Sequence, residues 1–304
     1  MNPLRSTFLA LSSMPRLRSV AQHSALRRLS SRFVAGEELQ DAIAVTRKLN
    51  AQSISVTLDA LGENVTDEAR AQQAADTYHA LLDAIGRLRL DANVSLKLTQ
   101  MGMDLPGGVA ERLVTDLARH AASISSFVRV DMESSAYTDA TLALVRRIHA
   151  MPDTSIGVVL QAYLYRTEAD QQPLLSERIR IRLCKGAYSE PASLAFPEKS
   201  AVDANYVKLM KELMTSGIYH GLATHDPAII GQAKAFAREQ AISAESFEFQ
   251  MLYGIRRDLQ EQLIRDGYRV RLYVPFGTEW YPYFMRRLAE RPANVLFLAR
   301  NLFR

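Results

Sequence analysis

The sequence predicts an α/β fold, a (β/α)8 TIM-type barrel with N-terminal helices ahead of it and a C-terminal helix over its mouth. Three observations predict it. Eight short segments carry strand patterns, helical patterns fill most of the gaps between them, and the run spans about 250 residues, the usual size of such a barrel. No Pro/Gly/Ser-rich linker, low-complexity segment or strong repeat interrupts the run.

In chain order the strand candidates are "SISVTLD" (53–59), "NVSLKLT" (93–99), "FVRVDME" (127–133), "SIGVVLQAYL" (155–164), "RIRIRLCKG" (178–186), "YHGLATH" (219–225), "FEFQML" (247–252) and "RVRLYVPF" (269–276). Between them, "DEARAQQAADTYHALLDAIGRL", "GVAERLVTDLARHAAS", "DANYVKLMKELMTSG" and "PAIIGQAKAFAREQ" have helical spacing, and Gly217 offers a C-cap to the third. A doubly wound sheet is the alternative, but the 14 glycines form no G-x-G-x-x-G and no P-loop, and the 6 histidines no H-E-x-x-H. No metal site is expected.

The 304 residues are 48% hydrophobic and 23% charged, an ordinary globular composition with no apolar run fit to span a membrane. The single cysteine, Cys184, excludes an intramolecular disulfide, suits a reducing compartment and reads as a small lumen or core residue. The pI of about 9.2 is a local effect. Residues 1–36 hold six arginines and no acid, leaving 31 basic against 33 acidic residues elsewhere, a net of −2. No nucleic-acid partner is therefore expected. Residues 1–45 are read as a basic helical segment, packed on the barrel or lying on an anionic membrane surface, and residues 46–304 as the catalytic barrel. A transit peptide is the weaker reading, because "SRFVAGEELQDAIAVTRKLN" enters an amphipathic helix without a linker.

Parallel strands are usually apolar on both faces. Here Ile54, Val56 and Leu58 alternate with Ser55, Thr57 and Asp59; Val94, Leu96 and Leu98 with Ser95, Lys97 and Thr99; Val128, Val130 and Met132 with Arg129, Asp131 and Glu133. The apolar face must meet the helices, so the polar face lines the lumen. Charge there is costly unless it pairs or binds something. Asp59, Lys97, Asp131, Glu133, Gln161, Arg182, Lys185, His225, Gln250 and Tyr273 gather at the C-terminal strand ends, where such barrels build their sites. Lys97 and Asp131 are expected to pair, and Arg178 and Arg180 to be buried counter-charges.

The blocks "RFVAGEEL", "TLDALGENVT", "NVSLKLTQMG", "VRVDMESSAYTD", "LQAYLYRT", "RIRLCKGAY", "LATHD", "FEFQMLYG" and "LYVPFGTEWYPYFMRRLAERPAN" run in order over about residues 32 to 304. With these the chain resembles the proline dehydrogenase family, and in particular its monofunctional bacterial members. The resemblance implies FAD-dependent oxidation of L-proline to Δ1-pyrroline-5-carboxylate, the first step of proline catabolism to glutamate, by hydride transfer to FAD. It also implies a membrane quinone as electron acceptor, and a cytoplasmic location with peripheral contact to the inner face of the membrane.

The same resemblance assigns roles. Arg286 and Arg287 match paired arginines on the substrate carboxylate, and Lys97 completes that clamp. Asp131 and Arg182 match catalytic-site positions, Arg182 also beside the flavin. Met132, Gln161, Lys185, Gly186, Ala187, Thr224 and His225 match flavin-binding positions; Tyr273, Leu252 and Tyr283 match the walls of the proline site, and Glu290 an acid on the arginine-bearing helix. Guanidinium pairs fork onto carboxylates, and hydride loss needs a redox cofactor because no side chain accepts a hydride. Ser189 and Asp226 replace an aromatic and an asparagine of bifunctional relatives, which favours the monofunctional branch. The chain ends at Arg304, so a separate pyrroline-5-carboxylate dehydrogenase is expected downstream. Two rival readings stand beside it: an aldolase or lyase using Lys97 as a Schiff base, and a basic-tailed adaptor for nucleic acid or membrane.

Overall fold

The computed structural model describes residues 30–290, with side chains through Met285. Residues 1–29, and the side chains of Arg286, Arg287 and Glu290, lie outside the described residues. The strands are β1 (Ser55–Ala60), β2 (Ala92–Lys97), β3 (Val128–Asp131), β4 (Ile156–Gln161), β5 (Arg180–Cys184), β6 (His220–Ala223), β7 (Phe247–Leu252) and β8 (Val270–Phe276). They pair in sequence order, all parallel, and β8 closes on β1 with Ser55 opposite Arg271 and Ala60 opposite Phe276. This is the eight-stranded barrel expected from the alternating segments.

The helices are α1 (Leu39–Asn50) before β1, then α2 (Glu68–Leu88), α3 (Val109–Ser123), α4 (Thr138–His149), α5 (Thr167–Ser176), α6 (Lys199–Thr215), α7 (Pro227–Glu239), α8 (Arg257–Arg265) and α9 (Trp280–Glu290). Side-chain caps start several of them. Asp41 accepts from the Glu37 and Glu38 amides at 3.1 and 3.2 Å, and Asp67 from Arg70 at 2.9 Å. Asp226, ahead of Pro227, accepts from Ala228 at 3.0 Å. Val56, Leu58, Val94, Leu96, Val128 and Val130 point outward into the main core, against Tyr78, Leu82, Leu113, Leu117 and Val145 of the helices. Among the described residues no helix is long and apolar enough to cross a membrane.

A second apolar cluster caps one side of the mouth. Phe33 and Val34 pack with Ile255, Trp280, Tyr281, Tyr283, Phe284 and Met285. The Ala35 amide donates to the Pro275 carbonyl and the Gly277 amide to Gly36, both at 2.9 Å. Gly254 lets this segment approach: its φ is +75°, and a Cβ there would lie 1.8 Å from the Arg32 carbonyl oxygen. The segment ahead of α1 thus clamps the helix that carries Arg286 and Arg287.

Two expectations for β5 fail. Arg178 and Arg180 are exposed, not buried. Arg178 has a left-handed φ of 59° in the turn leaving α5, where its amide donates to Leu175 at 3.0 Å, so it precedes the strand. Arg180 opens the strand at the lower rim, with its guanidinium over Phe127 at 5.3 Å and Tyr219 at 5.8 Å. A period-two pattern marks the face of a residue but not its depth, and the lower rim faces water.

Candidate active site

Polar side chains fill the lumen in two tiers. In the lower one, Glu248 accepts from Arg271 Nε at 2.8 and 3.0 Å and from Tyr219 at 2.9 Å. Arg271 Nη1 donates to Val56 O and to Asn93, which also accepts from Thr57 at 2.6 Å. Burial pushes the Glu248 carboxyl upward, but the Arg271 guanidinium outweighs it and holds the group below its ordinary value. Arg129 is buried with Nη1 on the carbonyls of Val158 (3.0 Å) and Arg180 (2.6 Å).

The upper tier is built around Asp131. Its Oδ1 accepts from Arg182 Nη1 at 2.8 Å and from Ser95 at 2.7 Å, and its Oδ2 accepts from Tyr273 at 2.7 Å. Arg182 also donates through Nε to Gln250 and through Nη1 to Ser95 at 3.2 Å, and it lies 5.3 Å from the centre of the Tyr273 ring. Gln250 needs Gly221 beside it, because a Cβ there would fall 2.4 Å from its amide nitrogen. Burial, with Asp131 and Asp59 nearby, pushes the Tyr273 phenol well above its ordinary value, so it stays a donor.

At the same level, Lys97 sits beside Asp131 in the β2–β3 register, but its ammonium lies 3.7 Å from Asp59 on β1. The expected neighbours are neighbours, but the Lys97 ammonium turns to Asp59 on the other strand, while Asp131 accepts from Arg182. An ion-paired ammonium is the opposite of the desolvated neutral amine a Schiff base needs. Glu133 accepts from the Thr99 amide and hydroxyl at 3.0 and 2.7 Å, and burial raises its pKa.

The other predicted residues fall on the same rim. Gln161 donates to the Glu133 carbonyl at 2.8 Å. Thr224 accepts from the Asp226 amide at 3.1 Å, and His225 Nε2 accepts from the Leu252 amide at 2.9 Å. Leu252 stands opposite Tyr273 in the β7–β8 register and packs, with Tyr283, in the mouth cluster. Met132 is buried in the main core behind the strand. Lys185 is held by Asp203 and Asp226, with Lys199 completing a square of alternating charge. For Asp226, upward pressure from burial is outweighed by Lys185, which holds the carboxyl down at about 2. Cys184 donates weakly to the Leu160 carbonyl at 3.5 Å, and burial pushes its thiol up to about 12. Ser95, Asp59 and Gln250 join the site beyond the assigned set. Their inward alternation was the available signal, with no chemistry in Ser95 to single it out.

One feature leaves a hydrogen bond open to a bound group: Arg182 Nη2 is buried without a hydrogen-bond partner. Gly186 (φ +115°) is needed for packing, because a Cβ there would come within 2.2 Å of the Tyr163 ring.

A closed parallel barrel with paired charges, a phenol and an aromatic wall at the carboxyl ends of its strands is an enzyme of the (β/α)8 class. More specifically, the chain belongs to the proline dehydrogenase family, an oxidoreductase family acting on proline, whose model matches residues 42–300. The chain is 39% identical over 301 residues to proline dehydrogenase 1 of Bacillus subtilis subsp. natto, covering 99% of both chains. It is 38% identical over 304 residues to proline dehydrogenase of Deinococcus radiodurans, covering 99% of this chain and 98% of that one. Among solved structures, proline utilization A of Bdellovibrio bacteriovorus superposes with a TM-score of 0.83 at 23% identity. That likeness covers 94% of this chain and 36% of the longer one, and supports the barrel fold.

Proposed function

We propose that the protein oxidises L-proline to Δ1-pyrroline-5-carboxylate with FAD as cofactor and a membrane quinone as final acceptor. The observation that carries the reading is the buried Arg182–Asp131–Tyr273 network at the barrel mouth, in a chain of this family. Arg182 with its free Nη2 fits a planar electron-rich ring. Met132, Gln161, Arg182, Lys185, Gly186, Ala187, Thr224 and His225 would hold the flavin. Bound there, FAD supplies the acceptor for the hydride lost from the proline ring.

The protein's own part is binding, orientation and water exclusion. Lys97, Arg286 and Arg287 grip the carboxylate, each charge-assisted hydrogen bond contributing about 1.5–3 kcal/mol. Leu252, Tyr273 and Tyr283 wall the ring, and the aromatic cluster of α9 closes the mouth to water. Asp131 fixes Arg182 and Tyr273 at once, and Arg182 brings positive charge to the place where electrons arrive. The reduced cofactor needs a quinone, which implies peripheral contact with the inner face of the membrane from the cytoplasm. The product opens to an aldehyde, so a pyrroline-5-carboxylate dehydrogenase acts next.

An absorption spectrum of the purified protein tests this reading. A flavin band that bleaches anaerobically with L-proline and returns with a soluble quinone is expected. A protein that takes up no FAD, or whose flavin ignores proline, would sink the proposal.

A further inference from the structure

Asp59 is a carboxylate of the upper lumen that no assigned role uses. Its residue is 1% exposed, and Oδ2 has no hydrogen-bond partner. The Lys97 ammonium lies 3.7 Å away, and the Tyr78 hydroxyl stands 3.4 Å from Oδ1. The groups facing it are Lys97 from β2, Asp131 from β3, Tyr273 from β8 and Tyr78 from α2. One of the four is a cation, and it is the residue assigned to the substrate carboxylate.

We infer that Asp59 is the resident counter-ion of Lys97 and takes up a proton when a substrate carboxylate claims that lysine. The inference rests on the assignment of Lys97 to the substrate. Two carboxylates cannot share one ammonium in a buried pocket without strong repulsion, and the resident one relieves it by forming an O–H bond. Burial raises the Asp59 carboxyl above its ordinary value despite Lys97, in the direction that proton uptake requires. For a carboxylate ligand that carries no proton of its own, the proton comes from solvent, and no bond in the ligand changes. Proline, a zwitterion, brings a proton of its own on the ammonium. That proton must leave before hydride loss, and Asp59 gives it a destination, so the amine becomes neutral without net exchange with solvent. Asp59 thereby acts through Lys97 as a positioning and proton-holding residue.

Calorimetric titration of the flavin-loaded enzyme with cyclopentanecarboxylate, near neutral pH in phosphate and in Tris, measures the proton directly. Uptake close to one proton per bound anion is expected, with affinity falling about tenfold per pH unit on the alkaline side. The uncharged probe cyclopentanecarboxamide should take up none, and Asp59→Asn should bind the anion without uptake. Binding of the carboxylate by the wild type without proton uptake, or uptake persisting in Asp59→Asn, overturns this inference alone. Failure of the anion to bind at all overturns the substrate assignment as well. Should Asp59→Asn not fold, the wild-type contrast between the two probes still decides.

Discussion

Arg182 and Asp131 meet across the lumen from β5 and β3, Nη1 to Oδ1 at 2.8 Å, with side chains only 7% and 15% exposed. The strand between them stays out of the way: β4 sets Val159 opposite Arg182 in register. A short side chain there lets long charged ones on its neighbours span the barrel. Because Asp131 also accepts from Ser95 and Tyr273, one carboxylate locks three strands at the depth of the site.

Asp131→Ala should therefore cost about 3–5 kcal/mol of stability, since it strands a buried guanidinium rather than removing a neutral contact. Asp131→Asn, which keeps shape and part of the hydrogen bonding, should cost less. Urea unfolding of the two variants, compared at constant m-value, gives the ordering. Equal costs would mean that the charge contributes nothing.

Tyr273→Phe keeps the ring over Arg182 and the wall beside Leu252 but removes the donor to Asp131. A hydrogen bond to a charged acceptor is worth about 1.5–3 kcal/mol, and Ser95 and Arg182 remain to satisfy the carboxylate, so the loss should fall at the low end. Unfolding free energy measures the cost. A proline KM that stays within about threefold would show that the wall is intact.

The strand count, order and inward polar face were legible in the sequence because a barrel repeats one pattern eight times. Depth was not. Arg178 and Arg180 share the alternation of Arg182, yet only Arg182 stands high enough to be enclosed. Pair identity was not legible either: Lys97 lies beside Asp131 in register, but its ammonium turns to Asp59, while Arg182 reaches Asp131 from two strands away. Side-chain length decides such partners, and a linear pattern does not carry it. The carboxylate clamp of Arg286 and Arg287 rests on the resemblance, their side chains lying outside the described residues.

Acid sensitivity should be traceable to His220. Burial, reinforced by Arg129, lowers its pKa from an ordinary 6.5 to about 3. Its Nδ1 accepts from the Ile181 amide at 3.0 Å and its Nε2 meets Ser216 at 3.0 Å, so the neutral ring joins β5 to the end of α6. The unfolded chain binds a proton at this histidine below about pH 6.5, whereas the folded one does so only near 3. Stability contributed here is thus complete above 6.5 and declines as pH falls toward 3, by up to about 1.4 kcal/mol per unit. His220→Asn, which retains an acceptor for Ile181, should flatten that slope in urea titrations between pH 6.5 and 4. An unchanged slope would place the sensitivity elsewhere.

Gly186→Ala tests the close approach of the backbone to Tyr163 at the end of β5. The new methyl would meet the Tyr163 ring at 2.2 Å, and φ of +115° is strained for any other residue. Tyr163 cannot simply withdraw, because its amide donates to the Lys185 carbonyl at 2.8 Å and continues the β4–β5 pairing. Weaker FAD retention on dilution is expected, with a modest fall in melting temperature. Full flavin occupancy after dilution would remove this loop from the cofactor site.

The helix bearing Arg286 and Arg287 is held by aromatic packing rather than by the barrel ladder, which sets up a separable test. Phe284 is 1% exposed, with ring centres of Phe33 and Trp280 both 6.1 Å away. Truncating a buried phenylalanine costs about 3–5 kcal/mol when the whole fold must absorb it. Here the cluster can open locally, because the main core does not include these residues. Phe284→Ala should therefore leave the barrel's unfolding transition nearly unchanged while the docked helix becomes the minor state. Apparent proline affinity falls in proportion to the docked fraction, so KM should rise about tenfold or more with flavin content unaltered. Protease cleavage within the segment ahead of α1, which shares the cluster through Phe33 and Val34, should accelerate in parallel. A large drop in melting temperature with unchanged KM would show instead that the aromatic cluster supports the barrel and not the clamp.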